Sequence, residues 1–259
     1  MKTFGLIGKS LSHSLSQQYF TAKFCKEKNI DAEYQLFPLN NIDEVAALLK
    51  HPTLLGFNVT VPYKSAIIHF LDEIDKVAQE VGAVNCVVKE NGRWVGYNTD
   101  IIGFDKTISE IRCEMGDMRY ETVTNQQLQI KNQTSALILG SGGAAKAVGY
   151  VLKQRNLPFR IVSRKKTKKN ITYNDITEEL IRETTFIINT TPLGMFPNVN
   201  EKPPIPYSAL NSNHILIDLI YNPTETLFLK EGKKCGAFII NGFTMFEAQA
   251  KNSYLLFNV

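Results

Sequence analysis

Short apolar runs alternate along this chain with stretches whose apolar positions recur every three or four residues. That order builds α/β proteins with parallel sheets. The pattern predicts a buried strand over residues 4–7, a helix over 15–28, a strand over 33–37, a helix over 41–50 and a third strand over 55–59. Another helix is predicted from about residue 63. Residues 82–88 and 93–95 read as paired strands around Asn91 and Gly92, a dipeptide that favours tight hairpin turns.

A second series begins after residue 100. Residues 114–134 are polar and rich in Gln and Asn, and read as a connection with little packing of its own. Strands are then predicted at 135–139, 159–163, 185–189, 215–219 and 237–240, with helices between them and a last helix over 244–257. The predicted organisation is two α/β domains with boundaries near residues 101 and 237.

Composition narrows the class. At 259 residues, 44% hydrophobic and 21% charged, the chain can bury full cores unaided. The net charge of +4 is mild and the basic residues are dispersed except for one cluster, which argues against nucleic acid as a partner. The four cysteines are widely spaced without a CxxC pair, as expected for packed thiols in a reducing compartment. The four histidines form no metal-ligand spacing, and no metal is expected. No segment has the length of a membrane span and the first residues do not read as a signal peptide, so a cytoplasmic location without membrane contact is expected.

Residues 140–145, GSGGAA, follow a predicted strand and open a predicted helix, which is the setting that a GxGxxA dinucleotide motif requires. Gly140 permits a tight turn, Gly142 a close diphosphate approach, and Ala145 close packing of helix on sheet. The amides of the helix N-terminus would face the anion. The alternative is a glycine-rich turn that binds nothing. The following strand decides between cofactors. NAD sites place an acid at its end. Here no Asp or Glu occurs between residues 145 and 174, and the strand runs into SRKKTKK at 163–169. Arg164, with Ser163 and Lys165 beside it, suits a 2′-phosphate and hence NADP. A solvated basic loop is the plainer alternative.

The other candidate chemistry lies in NVTVPYK at 58–64. Asn58 and Thr60 are two apart on a strand and share a face. Pro62 ends the strand, and Lys64 projects from the same edge. Two neutral hydrogen-bonding groups and one ammonium would meet a polyhydroxylated ligand at a position of proton transfer. A turn with a solvated lysine is the alternative.

Taken in order and spacing, SHSLS (12–16), NVTVPYK (58–64), GAVN (82–85), YNTD (97–100), GSGGA (140–144), NTTPLG (189–194), DLIYNP (218–223) and GFTMFEAQ (242–249) make the chain resemble the shikimate dehydrogenase family over nearly its whole length. The resemblance implies an N-terminal α/β substrate domain with a mostly parallel sheet, residues 1–101, completed by a C-terminal helix within 238–259, and a Rossmann NADP-binding domain at 102–237. It implies NADPH-dependent, reversible reduction of 3-dehydroshikimate to shikimate, a step towards chorismate and the aromatic amino acids. Lys64 and Asp100 would form the catalytic pair. Ser14 and Ser16, joined by Tyr221, would bind the substrate carboxylate, and Asn58, Thr60, Asn85 and Gln249 its ring hydroxyls. Gly140, Ser141, Gly142, Gly143 and Ala144 would hold the diphosphate, Ser163, Arg164 and Lys165 the adenosine phosphate, and Leu219 and Gly242 would lie near the nicotinamide. For Ser12 to Ser16 and for Asp100, helix capping remains a second reading. Two departures stand out: Ser163 where the family commonly has Asn, and Thr244 where a second glycine is common. Competing functions are a quinate/shikimate dehydrogenase and a catalytically idle NADP-binding regulatory module. The expected assembly is a monomer or homodimer.

Overall fold

The computed structural model describes residues 1–11, 14–27, 31–115 and 136–258. Ser12, His13 and most of the polar connection predicted at 114–134 lie outside them. The chain divides into two compact units, residues 1–102 with 247–259 and residues 103–246.

In the first unit the strands are β1 (Lys2–Gly8), β2 (Ala32–Pro38), β3 (Leu54–Val59), β4 (Glu73–Ile74), β5 (Cys86–Glu90) and β6 (Arg93–Tyr97). They form one sheet in the order β2-β1-β3-β5-β6-β4. β1 runs parallel to β2 and β3, while β5 is antiparallel to both β3 and β6. Helices α1 (Ser16–Lys26), α2 (Val45–Leu48) and α3 (Lys76–Val81) connect the strands, and α4 (Asp100–Met115) leaves the unit. One face of the sheet packs Phe57, Ile67, Val87 and Trp94. The other packs Phe4, Phe20, Phe24, Tyr34 and Phe257, with Phe20 and Tyr34 stacked at 4.4 Å between centroids.

The helix predicted from residue 63 does not form there. Lys64 O accepts from Val84 N at 2.7 Å, so this carbonyl is unavailable to a helical ladder. A tight turn, closed by Tyr63 N donating to Thr60 O, takes its place, and a short 3₁₀ helix follows at Ala66–Phe70. The helix predicted at 41–50 is divided in the same way, with a 3₁₀ turn at Ile42–Glu44 ahead of α2.

The second unit holds β7 (Ala136–Leu139), β8 (Phe159–Ser163), β9 (Asn170–Thr172), β10 (Phe186–Asn189), β11 (Ile215–Asp218) and β12 (Phe238–Ile240). All pair in parallel, in the order β12-β11-β10-β7-β8-β9. The order reverses between β7 and β10, which is the topological switch point of a doubly wound sheet. Helices α5 (Gly143–Gln154), α6 (Glu178–Arg182) and α7 (Leu227–Lys234) lie between strands, and α8 (Phe243–Phe257) closes the chain. β7, β10 and β11 are buried along their whole length, as expected for strands covered on both faces.

One expected boundary moves. β12 pairs with β11, so residues 238–246 stay with the second unit and the chain rejoins the first unit only at Glu247.

Candidate active site

The registers of the first sheet bring its polar residues to one edge. Asn58 is opposite Cys86, and Cys86 is opposite Tyr97, so the end of β3, the start of β5 and the end of β6 coincide. Asn85 and Asp100 flank those ends. Lys64 comes from the turn after β3, whose Tyr63 is anchored by its hydroxyl donating to Leu39 O at 2.7 Å.

Lys64 Nζ donates to Asp100 Oδ2 at 2.6 Å, and the two side chains are 15% and 4% exposed. Asp100 is the first residue of α4, and Asn98, not Asp100, accepts from Ile101 N at the helix start. The carboxylate is therefore free of capping duty, and a negative charge there suits the helix dipole. Its other oxygen, Oδ1, accepts from Asn85 Nδ2 at 2.8 Å. Asn85 is itself oriented by Thr99 N, which donates to Asn85 Oδ1 at 2.7 Å. Gln249 Oε1 lies 3.4 Å from both Asn85 Nδ2 and Thr99 Oγ1. Asn58 is buried. Its Oδ1 accepts from Tyr34 OH at 2.9 Å, and its Nδ2 donates to Ser253 Oγ at 2.8 Å and Asn85 O at 3.3 Å.

Of the predicted residues, the structure thus joins Asn58, Lys64, Asn85, Asp100 and Gln249 in one hydrogen-bonded group, with Thr60 half-buried in the adjoining turn. Ser14 and Ser16 lie apart from that group at the head of α1, where Ser14 Oγ accepts from the backbone N–H of Ser16 at 3.2 Å. That contact uses a lone pair and leaves the Ser14 proton available to a carboxylate. The sequence reading missed Tyr34, Thr99 and Ser253. Thr99 adjoins Asp100, and Ser253 is four residues beyond Gln249 on the same helical face, which is the signal that was there to find.

Capacity remains for a ligand. Lys64 has three protons, one of them engaged by Asp100. Thr60 Oγ1 and the Gln249 amide hydrogens have no partner among the described residues.

The second unit gathers its candidates at the carboxyl ends of its strands. Gly140 ends β7 with φ +119°, a conformation that glycine adopts without penalty, and a Cβ there would strike Thr190 Oγ1 at the end of β10. This close pair marks the switch point. Ser141 and Gly142 are exposed and Gly143 and Ala144 half-buried, while Ala145 is buried against the sheet. No side chain caps α5, and a Cβ on Gly142 would meet nothing within 4 Å. Open space before uncapped helix amides fits a diphosphate. Ser163 ends β8, its hydroxyl donating to Lys165 O at 2.6 Å and accepting from Asn170 Nδ2 at 3.3 Å. It shapes the loop from which Arg164 and Lys165 project into solvent. Lys166 is paired with Asp175 at 3.2 Å. Leu219 and Gly242 come together backbone to backbone, and a Cβ on Gly242 would collide with Leu219 O. Tyr221 packs its ring on Phe246 at 4.8 Å. Apart from Tyr221, whose expected role is at the substrate carboxylate, these residues fit NADP.

Asp218, the last residue of β11, is fully buried. It accepts from Thr226 Oγ1 at 2.6 Å, Asn189 Nδ2 at 3.0 Å and Ile220 N at 3.1 Å. Burial pushes its carboxyl up to about 7 despite these three donors. Thr244 takes its own role where the family commonly has glycine: its hydroxyl donates to Glu110 on α4 at 2.6 Å.

The model of the shikimate dehydrogenase substrate-binding domain matches residues 6–87. The shikimate dehydrogenase (NADP(+)) of Methanococcus vannielii is 37% identical over 270 residues, covering 96% of this chain and 89% of that protein. The chain belongs to the shikimate dehydrogenase family. Among solved structures, shikimate dehydrogenase 1 from Peptoclostridium difficile is 35% identical with a TM-score of 0.78, covering 100% of this chain and 92% of that one. The Thermus thermophilus shikimate 5-dehydrogenase, solved in complex with NADP(H) and shikimate, is 25% identical with a TM-score of 0.78, covering 99% and 93%. These shikimate dehydrogenases match the chain across both of its α/β units, as the motifs lead one to expect.

Proposed function

We infer that the protein is an NADP-dependent shikimate dehydrogenase that interconverts 3-dehydroshikimate and shikimate, on the route to chorismate and the aromatic amino acids. The observation that carries this reading is the Lys64–Asp100 pair, 2.6 Å apart and shielded from solvent, in a chain related over its length to NADP(+) enzymes of that activity.

Ketone reduction needs a hydride at carbon and a proton at oxygen. Gly140 to Ala144, Ser163, Arg164 and Lys165, and Leu219 and Gly242 would hold NADPH, which when bound would supply the hydride. The protein's own residues do the rest. Lys64 Nζ donates a proton to the developing alkoxide and stabilises its charge. Asp100 Oδ2 keeps the ammonium in place, and Asn85 holds Oδ1 so that the carboxylate cannot rotate away. Ser14 and Ser16 orient the substrate carboxylate, with Tyr221 as the third hydroxyl. Asn58, Thr60, Asn85 and Gln249 take the ring hydroxyls. In the reverse direction Lys64 accepts the proton it gave. We take the enzyme to work in the cytoplasm, as a monomer or homodimer.

The test is the absorbance change of the nicotinamide with shikimate and then quinate, each with NADP⁺ and with NAD⁺. The expected outcome is turnover with shikimate and NADP⁺ at a kcat/KM at least about 10-fold above shikimate with NAD⁺, since lost charge-assisted phosphate contacts cost that much, and above quinate with either nucleotide. Equal use of quinate would favour the quinate/shikimate reading. No turnover with any pair would leave an idle NADP-binding module.

A further inference from the structure

Ser253 has no assigned part in the reaction, yet it sits at the junction of the site's polar groups. It is fully buried on α8, one turn beyond Gln249. Its Oγ accepts from Asn58 Nδ2 at 2.8 Å and lies 3.1 Å from Thr99 Oγ1.

Partner chemistry fixes the orientations. The carbonyl of Asn85 can only accept, so the Asn58 group facing it is the NH₂. Both Asn58 hydrogens are then engaged, one by Asn85 O and one by Ser253 Oγ. Asn58 Oδ1 already accepts from Tyr34 OH and retains one lone pair. On the other side, Thr99 N fixes Asn85 Oδ1, which turns the Asn85 NH₂ towards Asp100 Oδ1 and Thr99 Oγ1, the latter at 3.0 Å. A continuous path therefore runs from Asn58 through Ser253, Thr99, Asn85 and Asp100 to Lys64.

We propose that Ser253 is a positioning residue for the reaction: it holds Asn58 as an acceptor-only ligand for a substrate hydroxyl and couples that amide to the Thr99–Asn85–Asp100 arm. The inference rests on the shikimate dehydrogenase reading. Without the serine hydroxyl, one Asn58 hydrogen is buried without a partner and the amide rotates to find one. Asn58 would then turn a donor towards the substrate hydroxyl, which could pair with it only by reversing its own proton.

Steady-state kinetics of Ser253→Ala and Ser253→Cys test this, beside wild type and Asn58→Ala. A thiol nearly matches the hydroxyl in shape but is a weak acceptor, so it separates packing from hydrogen bonding. The expected result is that both Ser253 variants raise the KM for shikimate by about 10-fold or more. The KM for NADP⁺ should change by less than about 2-fold, because the NADP contacts lie in the other unit. Adding Ser253→Ala to Asn58→Ala should raise KM by no more than about 2-fold further, because the serine acts through the asparagine. A Ser253→Cys enzyme with wild-type KM, or additive effects in the double variant, would overturn the assignment. Failure of both variants to fold by circular dichroism would also overturn it, marking Ser253 as structural. Wild-type protein without shikimate turnover would instead remove the functional reading, and this inference with it.

Discussion

Lys64 stands in a turn with its ammonium on Asp100 Oδ2 at 2.6 Å, and its three-proton head is the group nearest in kind to what a ketone oxygen needs at the moment of reduction. Replacing it with alanine removes the proton donor and the positive charge but leaves the hydroxyl ligands. Lys64→Ala should lower kcat by about 10²–10⁴-fold while the KM for shikimate changes only a few-fold. A large rise in KM with kcat intact would make Lys64 a binding group and sink its catalytic part. That Asn58, Lys64 and Asp100 belong together was legible in the sequence because each sits in a compact motif. Thr99 and Ser253 were not. A threonine and a serine carry no sequence mark of what their hydroxyls bond, and Ser253 meets Asn58 across 195 positions of chain.

Among the elements, the loop after β8 is the one to which the proposed function gives the choice of nucleotide. Its strand end carries Ser163 where an NAD enzyme would carry an acid, and Arg164 and Lys165 point into solvent with no acidic partner among the described residues. Lys166 is already held by Asp175, which leaves Arg164 and Lys165 as the unpaired cations next to the strand end, with Lys168 and Lys169 farther along the loop. Arg164→Gln should raise the KM for NADP⁺ by about 10-fold or more, with little effect on NAD⁺, because only the phosphate contact is lost. Equal changes for both nucleotides would refute a phosphate role. The element pattern itself was read well where strands are apolar and helices long. It failed at residue 63, where local periodicity suggested a helix but Val84 N takes the Lys64 carbonyl. Such a bond between distant segments leaves no trace in the local pattern. It also missed β4 and β9, whose two and three residues are too short to show a period.

For the molecule as a whole, the chain builds a first unit, passes into a second, and returns at Glu247 to finish the first. Gln249, Ser253 and Phe257 on α8 thereby complete a site and a core begun some 190 residues earlier. The second unit carries a different global property. Asp218 is buried with a carboxyl pushed up to about 7 from an ordinary 3.8, burial outweighing Thr226, Ile220 N and Asn189. The sign of its linkage follows. Between about pH 4 and 7 the unfolded chain has lost this proton and the folded chain still holds it, so stability falls as pH rises through that window and levels off above it. Asp218→Asn keeps the shape and removes the titration. The carboxylates that their partners hold low, Asp175 and Glu231 among them, are the same in both proteins. Histidines are common to both proteins and cancel in the difference. Urea unfolding of wild type and Asp218→Asn from pH 5 to 8 should therefore show wild type losing stability relative to the variant, by on the order of 1–3 kcal/mol across the range. A difference that stays flat with pH would mean that Asp218 is already ionised in the folded protein and that its three donors outweigh its burial.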